Sequence, residues 1–360
     1  MKIPLAKIDT DDEIKSAAIN VIESGKYILG DQTEDFEEKF AKFCNVKYAS
    51  CVSSGTAALF LTLLSLGVKK NDEIIVPSLS FLSTASSILM IGAKPRFVDV
   101  DNINCTIDPE KIEKEITKRT KGIIPVHLYG HPANMDKIKK IARDYSIFVL
   151  EDSSQAHGAR YKEKMVGSLG EASCFSFYPS KNLTVCGDGG IVTSNNPELI
   201  NEIKKLRNHG RTEKYIHHIL GYNMRFNEMQ AAIGKVMLKR LRKSNQKRRL
   251  IAKTYSKKLT SNKVIKPIEE KWGTHVYHMY PIRIKERDKL QKHLSSKNIG
   301  TGIHYPVPIH KQPIMKQYNK KKLSITEEIC ASTLSIPMFP SLQQNQQRYV
   351  IEMINRFYGE

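Results

Sequence analysis

YASCVSSGTAALFLTLLSLGV, residues 48–68, decides the fold class and contains no charged residue. Tyr48–Val52 is typical of a buried strand, and the apolar run after Thr56 is typical of a helix. The uncharged stretch Ile74–Ala93 repeats this arrangement. Both stretches are long enough to span a membrane. However, the polar turn SSGT in the first, and Pro77 with five serines in the second, instead predict two strand–turn–helix units and no membrane span.

The alternation of apolar β-rich runs with helical patterns continues outward over residues 46–195. It predicts an α/β fold in which a mostly parallel, seven-stranded sheet is flanked by helices. The predicted strands are Tyr48–Val52, Glu73–Val76, Arg96–Val100, Gly122–His127, Ile147–Leu150, Ala172–Phe177 and Gly190–Thr193. The predicted helices are Thr56–Leu66, Ser83–Ile91, Pro109–Ile116 and Asn134–Tyr145.

The C-terminal part of the chain follows a different pattern. Residues 227–259 form a long helical pattern rich in Lys and Arg. After it, His275–Ile284 is typical of a strand, Arg287–Lys297 of a helix, and Gly302–Pro308 of a strand or loop. For a chain of 360 residues we expect a large domain with an N-terminal arm, residues 1–240, and a smaller C-terminal α+β domain, residues 241–360.

The chain is basic, with 57 Lys and Arg against 37 Asp and Glu, and its formal net charge is +20. Such a surface attracts phosphate groups of nucleic acids, membranes or small ligands. The basic runs Lys239–Lys243 and Lys247–Arg249 have no repeated aromatic residues among them. They therefore favour a solvated helix face, and we expect no nucleic-acid binding.

The cysteines give no sign of a metal site or of disulfide bonds. The six residues are Cys44, Cys51, Cys105, Cys174, Cys186 and Cys330, and no two of them have metal-ligand spacing. The sequence begins MKIPLAKIDTDDE, which contains no apolar signal core. We expect reduced thiols, no bound metal and a cytoplasmic location.

Residues at the ends of the first two predicted strands could contact a ligand, because ligands bind at the carboxyl ends of the strands in such sheets. Gly55 allows a tight turn, and Thr56 lies where the free amides of a helix start bind phosphate. The alternative for this turn is an ordinary helix cap. Phe81 could stack on a flat cofactor, and the alternative for it is core packing.

Two later strand ends carry residues typical of cofactor chemistry. Asp152 follows a buried strand, where a carboxylate keeps a pyridine nitrogen protonated; the alternative is a helix cap. Lys181 lies between an apolar strand and a glycine-rich turn. Desolvation would lower its pKa and make it a Schiff-base nucleophile, whereas the alternative is a surface lysine. Ser176, five residues earlier, could reach a phosphate group.

Six stretches in series resemble one family, the DegT/DnrJ/StrS-type sugar-nucleotide aminotransferases, which are fold-type I pyridoxal-phosphate enzymes. The similarity runs from about Tyr27 to Pro340. The stretches are SGTAAL (54–59), PVHLYGHPANM (125–135), EDSSQAHGA (151–159), SFYPSKNL (176–183) with GDGG (187–190), GYNMRFNEMQAAIG (221–234) and GIHYPVPIHKQP (302–313).

The resemblance implies a complete site. Lys181 matches the lysine that binds the cofactor, and Asp152 matches the acid at the pyridine nitrogen. The other implied residues are the phosphate ligands Gly55, Thr56 and Ser176, the stacking Phe81, Gln155 at the phenolic oxygen, Asn223 at the phosphate of the partner subunit's cofactor, and Arg225, His304 and Tyr305 near the sugar nucleotide. A homodimer with shared active sites is thereby implied.

The implied reaction moves an amino group from L-glutamate, which leaves as 2-oxoglutarate, to a nucleotide-linked 3-keto or 4-keto sugar. Pyridoxamine phosphate is the intermediate form of the cofactor. A dehydratase branch of the family has histidine in place of the lysine, so Lys181 favours amino transfer. The alternatives are a dehydratase or amino-cyclitol aminotransferase of the same family, a cofactor-binding regulator without turnover, and a basic nucleic-acid-binding protein. The sequence specifies neither the sugar nor the nucleotide.

Overall fold

The computed structural model describes residues 2–318 and 321–359. Its helices are α1 (Asp12–Ser24), α2 (Asp31–Cys44), α3 (Gly55–Ser65), α4 (Ser83–Met90), α5 (Met135–Asp144), α6 (Pro197–Leu206), α7 (Glu228–Lys258), α8 (Arg287–Ser296), α9 (Ser324–Ser332) and α10 (Gln344–Phe357). Its strands are β1 (Tyr48–Val52), β2 (Glu73–Pro77), β3 (Lys94–Val98), β4 (Thr120–Ile123), β5 (Phe148–Asp152), β6 (Arg160–Tyr161), β7 (Lys164–Met165), β8 (Ala172–Ser176), β9 (Gly190–Ser194), β10 (Arg211–Glu213), β11 (Ile216–His217), β12 (Gly273–Thr274), β13 (Tyr280–Arg283) and β14 (Thr333–Ile336).

Seven strands form the central sheet in the order β1-β9-β8-β5-β4-β2-β3. All neighbouring pairs among β8, β5, β4, β2 and β3 are parallel, whereas β9 runs antiparallel to both β1 and β8. The carboxyl ends of β1, β2, β5 and β8 therefore meet the start of β9 at one edge of the sheet. The predicted α/β architecture with a mostly parallel seven-stranded sheet is confirmed.

Apolar residues on both faces of the sheet explain why these runs form central strands. Most residues of β2, β5, β8 and β9 are buried, as expected for strands covered by helices on both sides. One core packs α2, α5 and the start of α7 against the sheet, and a second packs α3, α4 and α6 against its other face. Each helix thus covers the sheet with its apolar side.

The prediction of a helix at Pro109–Ile116 is wrong in type. The segment forms two short 3₁₀ turns, Pro109–Lys111 and Glu113–Glu115. Asp108 caps the first turn by accepting a hydrogen bond from the amide of Glu110 at 3.1 Å. The helical pattern here is only about two turns long, and such short segments often adopt 3₁₀ geometry.

The prediction of one strand over His275–Ile284 is also only partly correct. The regular strand is β13, Tyr280–Arg283, which pairs with β14. The preceding residues leave strand geometry because Tyr277 has a φ of 45° and the amides of Val276 and His278 donate to Gly130 and Tyr129. Residues 302–308 form a loop that joins β14 through a single bridge at Gly302. The predicted helix near Arg287 is confirmed as α8.

A separate apolar core lies in the C-terminal part of the chain, where the end of α7 packs with α8, α10, β13 and β14. Helix α7 is 31 residues long and passes through the predicted domain boundary at residues 240/241. The division into domains 1–240 and 241–360 stays a prediction. None of the helices in the described ranges is both long and apolar enough to cross a membrane.

Candidate active site

The first part of the site is the start of α3. Ser54, rather than Thr56, caps this helix, because its hydroxyl accepts from the amide of Ala57 at 3.0 Å. The amides of Gly55 and Thr56, which precede Ala57, have no acceptor within the helix. Thr56 places its hydroxyl 2.8 Å from the hydroxyl of Ser83. The start of α3 can therefore bind an anion such as a phosphate group.

Close packing at this turn explains its glycine. A Cβ atom on Gly55 would lie 2.7 Å from the Cβ atom of Ser176, at the end of β8. A Cβ atom on Gly190, at the start of β9, would lie 2.4 Å from the carbonyl oxygen of Ser54. The two glycines let three chain segments converge. The structure thereby brings together Gly55, Thr56 and Ser176, the predicted phosphate ligands.

Asp152 ends β5 at the same edge and is buried. Its Oδ2 accepts from the hydroxyl of Thr84 at 2.7 Å, and its Oδ1 accepts from the amide of Ser154 at 3.2 Å. Thr84 also lies 2.8 Å from the hydroxyl of Ser80. A carboxylate offers about four acceptor positions, so Asp152 keeps acceptor capacity for a ligand.

Lys181 lies in the loop after β8, where its amide donates to the carbonyl of Tyr178 at 2.8 Å. Its side chain is partly buried. The loss of water around the ammonium group lowers the pKa of Lys181 to about 8, and the negative charge of Asp152 opposes this shift. Electrostatic coupling thus joins the two residues, and Lys181 has a larger fraction of free amine near neutral pH than an ordinary lysine.

Gln155 and Tyr305 form one wall of the site. Gln155 Oε1 accepts from the amide of Tyr129 at 2.7 Å, and its Nε2 donates to the hydroxyl oxygen of Tyr305 at 3.1 Å. The Tyr305 hydroxyl consequently keeps its own hydrogen available for a ligand. Burial raises the pKa of Tyr305, so this hydroxyl stays protonated. The ring of Phe81 lies 6.0 Å from the Tyr305 ring and is 58% exposed.

His304 belongs to the same wall. Its Nδ1 lies 3.0 Å from the hydroxyl of Ser335, and its carbonyl oxygen accepts from the hydroxyl of Tyr129. Burial lowers the pKa of His304 to about 4, and the charge of Lys181 acts in the same direction. The imidazole is therefore neutral at physiological pH.

Asn223 and Arg225 lie in a different position from the residues above. Asn223 is exposed and Arg225 is half-buried, and neither side chain has a hydrogen-bond partner among the described residues. Their segment passes beside the anion site, because the carbonyl of Met224 accepts from the amide of Ser53 at 3.0 Å. With one chain described, the role of Asn223 in a shared site stays a prediction.

Three residues that contact the site or act on it electrostatically were not singled out from the sequence. Thr84 bonds to Asp152 from α4, and Tyr129 bonds to Gln155 through its amide. His278 is coupled electrostatically to Lys181 from the C-terminal part of the chain. Thr84 lies in the first turn of α4, the helix that follows β2, which was a usable signal, whereas only the fold brings His278 near Lys181.

The donor set fits pyridoxal phosphate. The glycine-lined start of α3 with Ser176 matches a phosphate group, and the buried Asp152 matches a protonated pyridine nitrogen. The lowered pKa of Lys181 matches an amine that adds to an aldehyde. The exposed ring of Phe81 offers an apolar surface to a flat ring. Clusters of three or more potential metal ligands do not occur among the described residues.

Comparisons with known proteins agree with this geometry. Residues 8–355 match the model of the DegT/DnrJ/EryC1/StrS aminotransferase family. A dTDP-3-amino-3,6-dideoxy-alpha-D-galactopyranose transaminase from Aneurinibacillus thermoaerophilus is 42% identical over 345 residues, which are 96% of this chain and 95% of that protein. A pleiotropic regulatory protein from Geobacillus stearothermophilus is 41% identical over 351 residues, which are 96% of this chain and 94% of that protein.

The fold agrees with solved structures of the same family. DesV from S. venezuelae, in complex with a ketimine intermediate, superposes with a TM-score of 0.97 at 36% identity, over 100% of this chain and 99% of that chain. The predicted fold type and the predicted cofactor are thereby confirmed. The chain belongs to the DegT/DnrJ/EryC1/StrS aminotransferase family and is a pyridoxal-phosphate-dependent aminotransferase.

Proposed function

We propose that the protein moves an amino group from L-glutamate to the keto group of a nucleotide-linked sugar, a 3-keto or 4-keto deoxy or N-acetyl sugar. The observation that carries this proposal is that Asp152 at the end of β5 acts electrostatically on Lys181, whose pKa burial lowers to about 8. The similarity to a dTDP-amino-sugar transaminase supports a nucleotide sugar as the acceptor.

The side chains at the sheet edge have separate tasks. Gly55, Thr56 and Ser176 hold the cofactor phosphate, and Asp152 holds a proton on the pyridine nitrogen. When bound, pyridoxal phosphate supplies an electron-withdrawing ring that stabilises negative charge on the carbon that bears the amino group. Lys181 would hold the cofactor, and its amine, once free, would take the proton from the α-carbon of L-glutamate. The same amine returns a proton when the sugar accepts the amino group.

The wall of the site orients the ring and excludes water. Phe81 would cover one face of the cofactor ring. Gln155 faces the phenolic oxygen of the cofactor, while its contact with Tyr305 fixes the position of its amide. Arg225, His304 and Tyr305 contact the sugar nucleotide. A neutral His304 suits this task, because it accepts or donates a hydrogen bond without placing a second cation beside Lys181.

A basic groove beside Lys181 supports a diphosphate substrate. The N-terminal arm and α7 border this groove, and its lining includes Lys7, Arg240, Lys243 and Lys247. Lys7 and Arg240 form ion pairs with acidic residues, whereas Lys243 and Lys247 have no acidic partner in the described part of the chain. These two lysines, one helical turn apart, leave uncompensated positive charge near the site.

A coupled assay tests the proposal directly. Purified protein is given L-glutamate and a panel of 3-keto and 4-keto sugar nucleotides, and the formation of 2-oxoglutarate is followed. We expect turnover with one subset of the panel, and borohydride reduction should fix the cofactor to Lys181. Reduction onto another lysine, or the absence of turnover with every keto-sugar nucleotide, would contradict the proposal.

The proposal includes a homodimer in which Asn223 donates to the phosphate of the partner subunit's cofactor. Inactive Lys181→Ala is mixed with an impaired Asn223→Ala variant under conditions that exchange subunits. Mixed dimers then contain one site with both wild-type residues, so activity should exceed the sum of the two parents. If exchange is verified and no activity returns, the site is confined to one chain.

A regulator without turnover is a second candidate, because a relative of 41% identity is named a pleiotropic regulatory protein. Such a protein would bind the cofactor at Lys181 but would form no 2-oxoglutarate with any acceptor. A dehydratase or an amino-cyclitol aminotransferase would be recognised in the same assay by its products. A cytoplasmic location and the absence of nucleic-acid binding stay predictions.

A further inference from the structure

Asn182, the residue after Lys181, anchors the lysine loop through a buried hydrogen-bond network. Its Nδ2 donates to Asn245 Oδ1 of α7 at 2.9 Å and to the carbonyl of Val276 at 3.1 Å. Asn245 Nδ2 donates in turn to the carbonyl of His157 at 2.8 Å. Three separate parts of the chain thus hold the loop that carries the lysine.

The network determines which ring nitrogen of His278 carries hydrogen. The carbonyl of Val276 can only accept, so the Asn182 amide nitrogen must face it and the amide oxygen must face His278. That oxygen lies 3.2 Å from His278 Nδ1. Nδ1 must therefore be the donor, and a neutral ring then has a lone pair on Nε2.

The His278 ring is neutral and its Nε2 is available. Burial lowers the pKa of His278 well below 6.5, and the charge of Lys181 adds to this effect. Nε2 is buried and has no hydrogen-bond partner among the residues that the structure describes. A buried acceptor without a partner is costly, so a donor is expected beside it.

His157 is a second histidine near Lys181, but its contacts do not show which of its ring nitrogens carries hydrogen. Both ring nitrogens of His157 lack a partner in the described ranges, and its ring packs against Phe175 with the ring centres 5.2 Å apart. Burial and the charge of Lys181 lower its pKa to about 3. Nothing in these contacts fixes the tautomer of His157. His278 is therefore the histidine near Lys181 whose hydrogen-bond acceptor can be assigned.

In the structure His278 Nε2 and the Lys181 amine are not hydrogen-bonded. We propose that His278 is a positioning residue whose Nε2 lone pair accepts a hydrogen bond from the Lys181 amine when the amine is released from the cofactor and the lysine side chain rotates toward the ring. The proposal rests on the role of Lys181 proposed above. A lysine side chain has four rotatable bonds, and a fixed acceptor keeps the free amine beside the reacting carbon. Asn182 acts through His278, because it sets the tautomer.

The apoprotein provides the first test, independent of activity. Reductive methylation of Lys181 is followed by mass spectrometry as a function of pH, which gives the pKa of its amine. His278→Asn keeps a donor to Asn182 but removes the acceptor at the Nε2 position, so the pKa of Lys181 should fall by about one unit, a tenfold change. His278→Gln keeps an amide oxygen within reach of that position and should restore most of the wild-type pKa. An unchanged or raised pKa in His278→Asn overturns the proposal.

A control and a measurement on the unmodified protein separate this effect from damage to the fold. His131 is another buried histidine, bonded at both ring nitrogens to Pro132 and Glu270. His131→Asn should leave the pKa of Lys181 unchanged. Nitrogen-15 NMR of the wild-type histidines should show His278 with hydrogen on Nδ1, which needs no variant other than the one used to assign the signal. Hydrogen on Nε2 would overturn the proposal.

Steady-state kinetics of the His278 variants provide the last test. In the active enzyme His278→Asn should lower kcat about tenfold and leave the KM for L-glutamate nearly unchanged, since the acceptor acts on the proton transfer. His278→Gln should recover most of kcat. If borohydride fixes the cofactor to another lysine, the proposed function fails, while the titration of the apoprotein still decides whether His278 accepts from Lys181.

Discussion

Glu151 and Asp152 are adjacent carboxylates at the end of β5, and the strand directs them to opposite faces of the sheet. The carboxylate of Glu151 accepts four hydrogen bonds from within the chain. The donors are His127 Nε2 at 2.9 Å and the amides of Gly167, Leu169 and Gly170 at 3.1, 2.8 and 3.1 Å. The carboxylate of Asp152 accepts only from Thr84 and Ser154 among the described residues.

The comparison separates a structural carboxylate from a functional one. The amide of Ala133 donates to His127 Nδ1, so His127 must donate from Nε2 to Glu151. All the donors to the Glu151 carboxylate are thus groups of the protein itself. Asp152, by contrast, retains acceptor positions that point to the site. Both residues are buried carboxylic acids. What distinguishes the structural from the functional one is how many acceptor positions of its carboxylate are already occupied by donors of the protein.

The largest expected effect is on turnover and comes from a change on the face of the sheet to which Asp152 points. Lys181→Ala should lose turnover completely, because no amine remains to hold the cofactor or move the proton. Its thermal stability should not fall, since the substitution removes a group whose pKa is lowered by burial. The absorbance change on adding L-glutamate measures the first half of the reaction. Lys253→Ala, an exposed change on α7, is the control and should keep full activity.

A change on the Glu151 face should reduce stability instead. In Glu151→Gln an amide nitrogen replaces one acceptor, so at least one buried donor loses its partner. We expect the free energy of unfolding to fall by about 3 kcal/mol in denaturant titrations at fixed protein concentration. Glu110→Gln breaks an exposed pair with Lys137 and should leave the free energy of unfolding nearly unchanged, because water screens the pair. A cost for Glu151→Gln as small as that of the control would contradict the assignment.

Asp152→Asn should show the opposite behaviour. The fold should be retained, but a neutral amide holds the pyridine proton less well. We expect kcat/KM to fall about a hundredfold, which corresponds to about 2.7 kcal/mol of transition-state stabilisation. Steady-state kinetics and a thermal melt on the same preparation measure both properties. Near-normal turnover would mean that another acid faces the ring nitrogen.

The smallest expected effect concerns the donor behind Asp152. Thr84→Val removes the hydroxyl that donates to Oδ2 at 2.7 Å but keeps the side-chain volume. We expect kcat/KM to fall about tenfold, since hydrogen bonds to charged groups contribute about 1.5 kcal/mol or more. Ser80→Ala removes a hydroxyl that contacts Thr84 and should have a smaller effect. Equal losses in the two variants would argue against a specific role for Thr84.

The sequence predicted the strands of the sheet and the residues at their ends because both depend on local patterns. A buried strand needs a short apolar run, and its last residue is next to it in the chain. Asp152 and Lys181 were recognisable for this reason. The same reasoning placed the start of α3 within one residue, at Thr56 instead of Gly55.

Contacts between distant segments were not accessible to that reasoning. The apolar pattern of residues 275–279 resembles a strand, but these residues bond to Tyr129 and Gly130 instead of to a strand partner. The partnership of Asn182 with His278 joins residues 96 positions apart in sequence. Arg225 and Asn223 were proposed from family resemblance alone, and the task proposed for Asn223 lies in the site of a second subunit.

Helix α7 has a consequence for how the protein unfolds. Its first residue, Glu228, accepts from the amides of Gln32 and Thr33 at 2.8 and 2.9 Å, and Tyr255 in its last turn donates to the carbonyl of Pro337 at 2.9 Å. One helix of about 46 Å thereby supplies side chains to the core against the sheet and to the C-terminal core. Neither core can open without exposing part of this helix. Amide hydrogens in the two packed halves of the helix should therefore show similar protection from exchange with solvent, as expected for one cooperative opening.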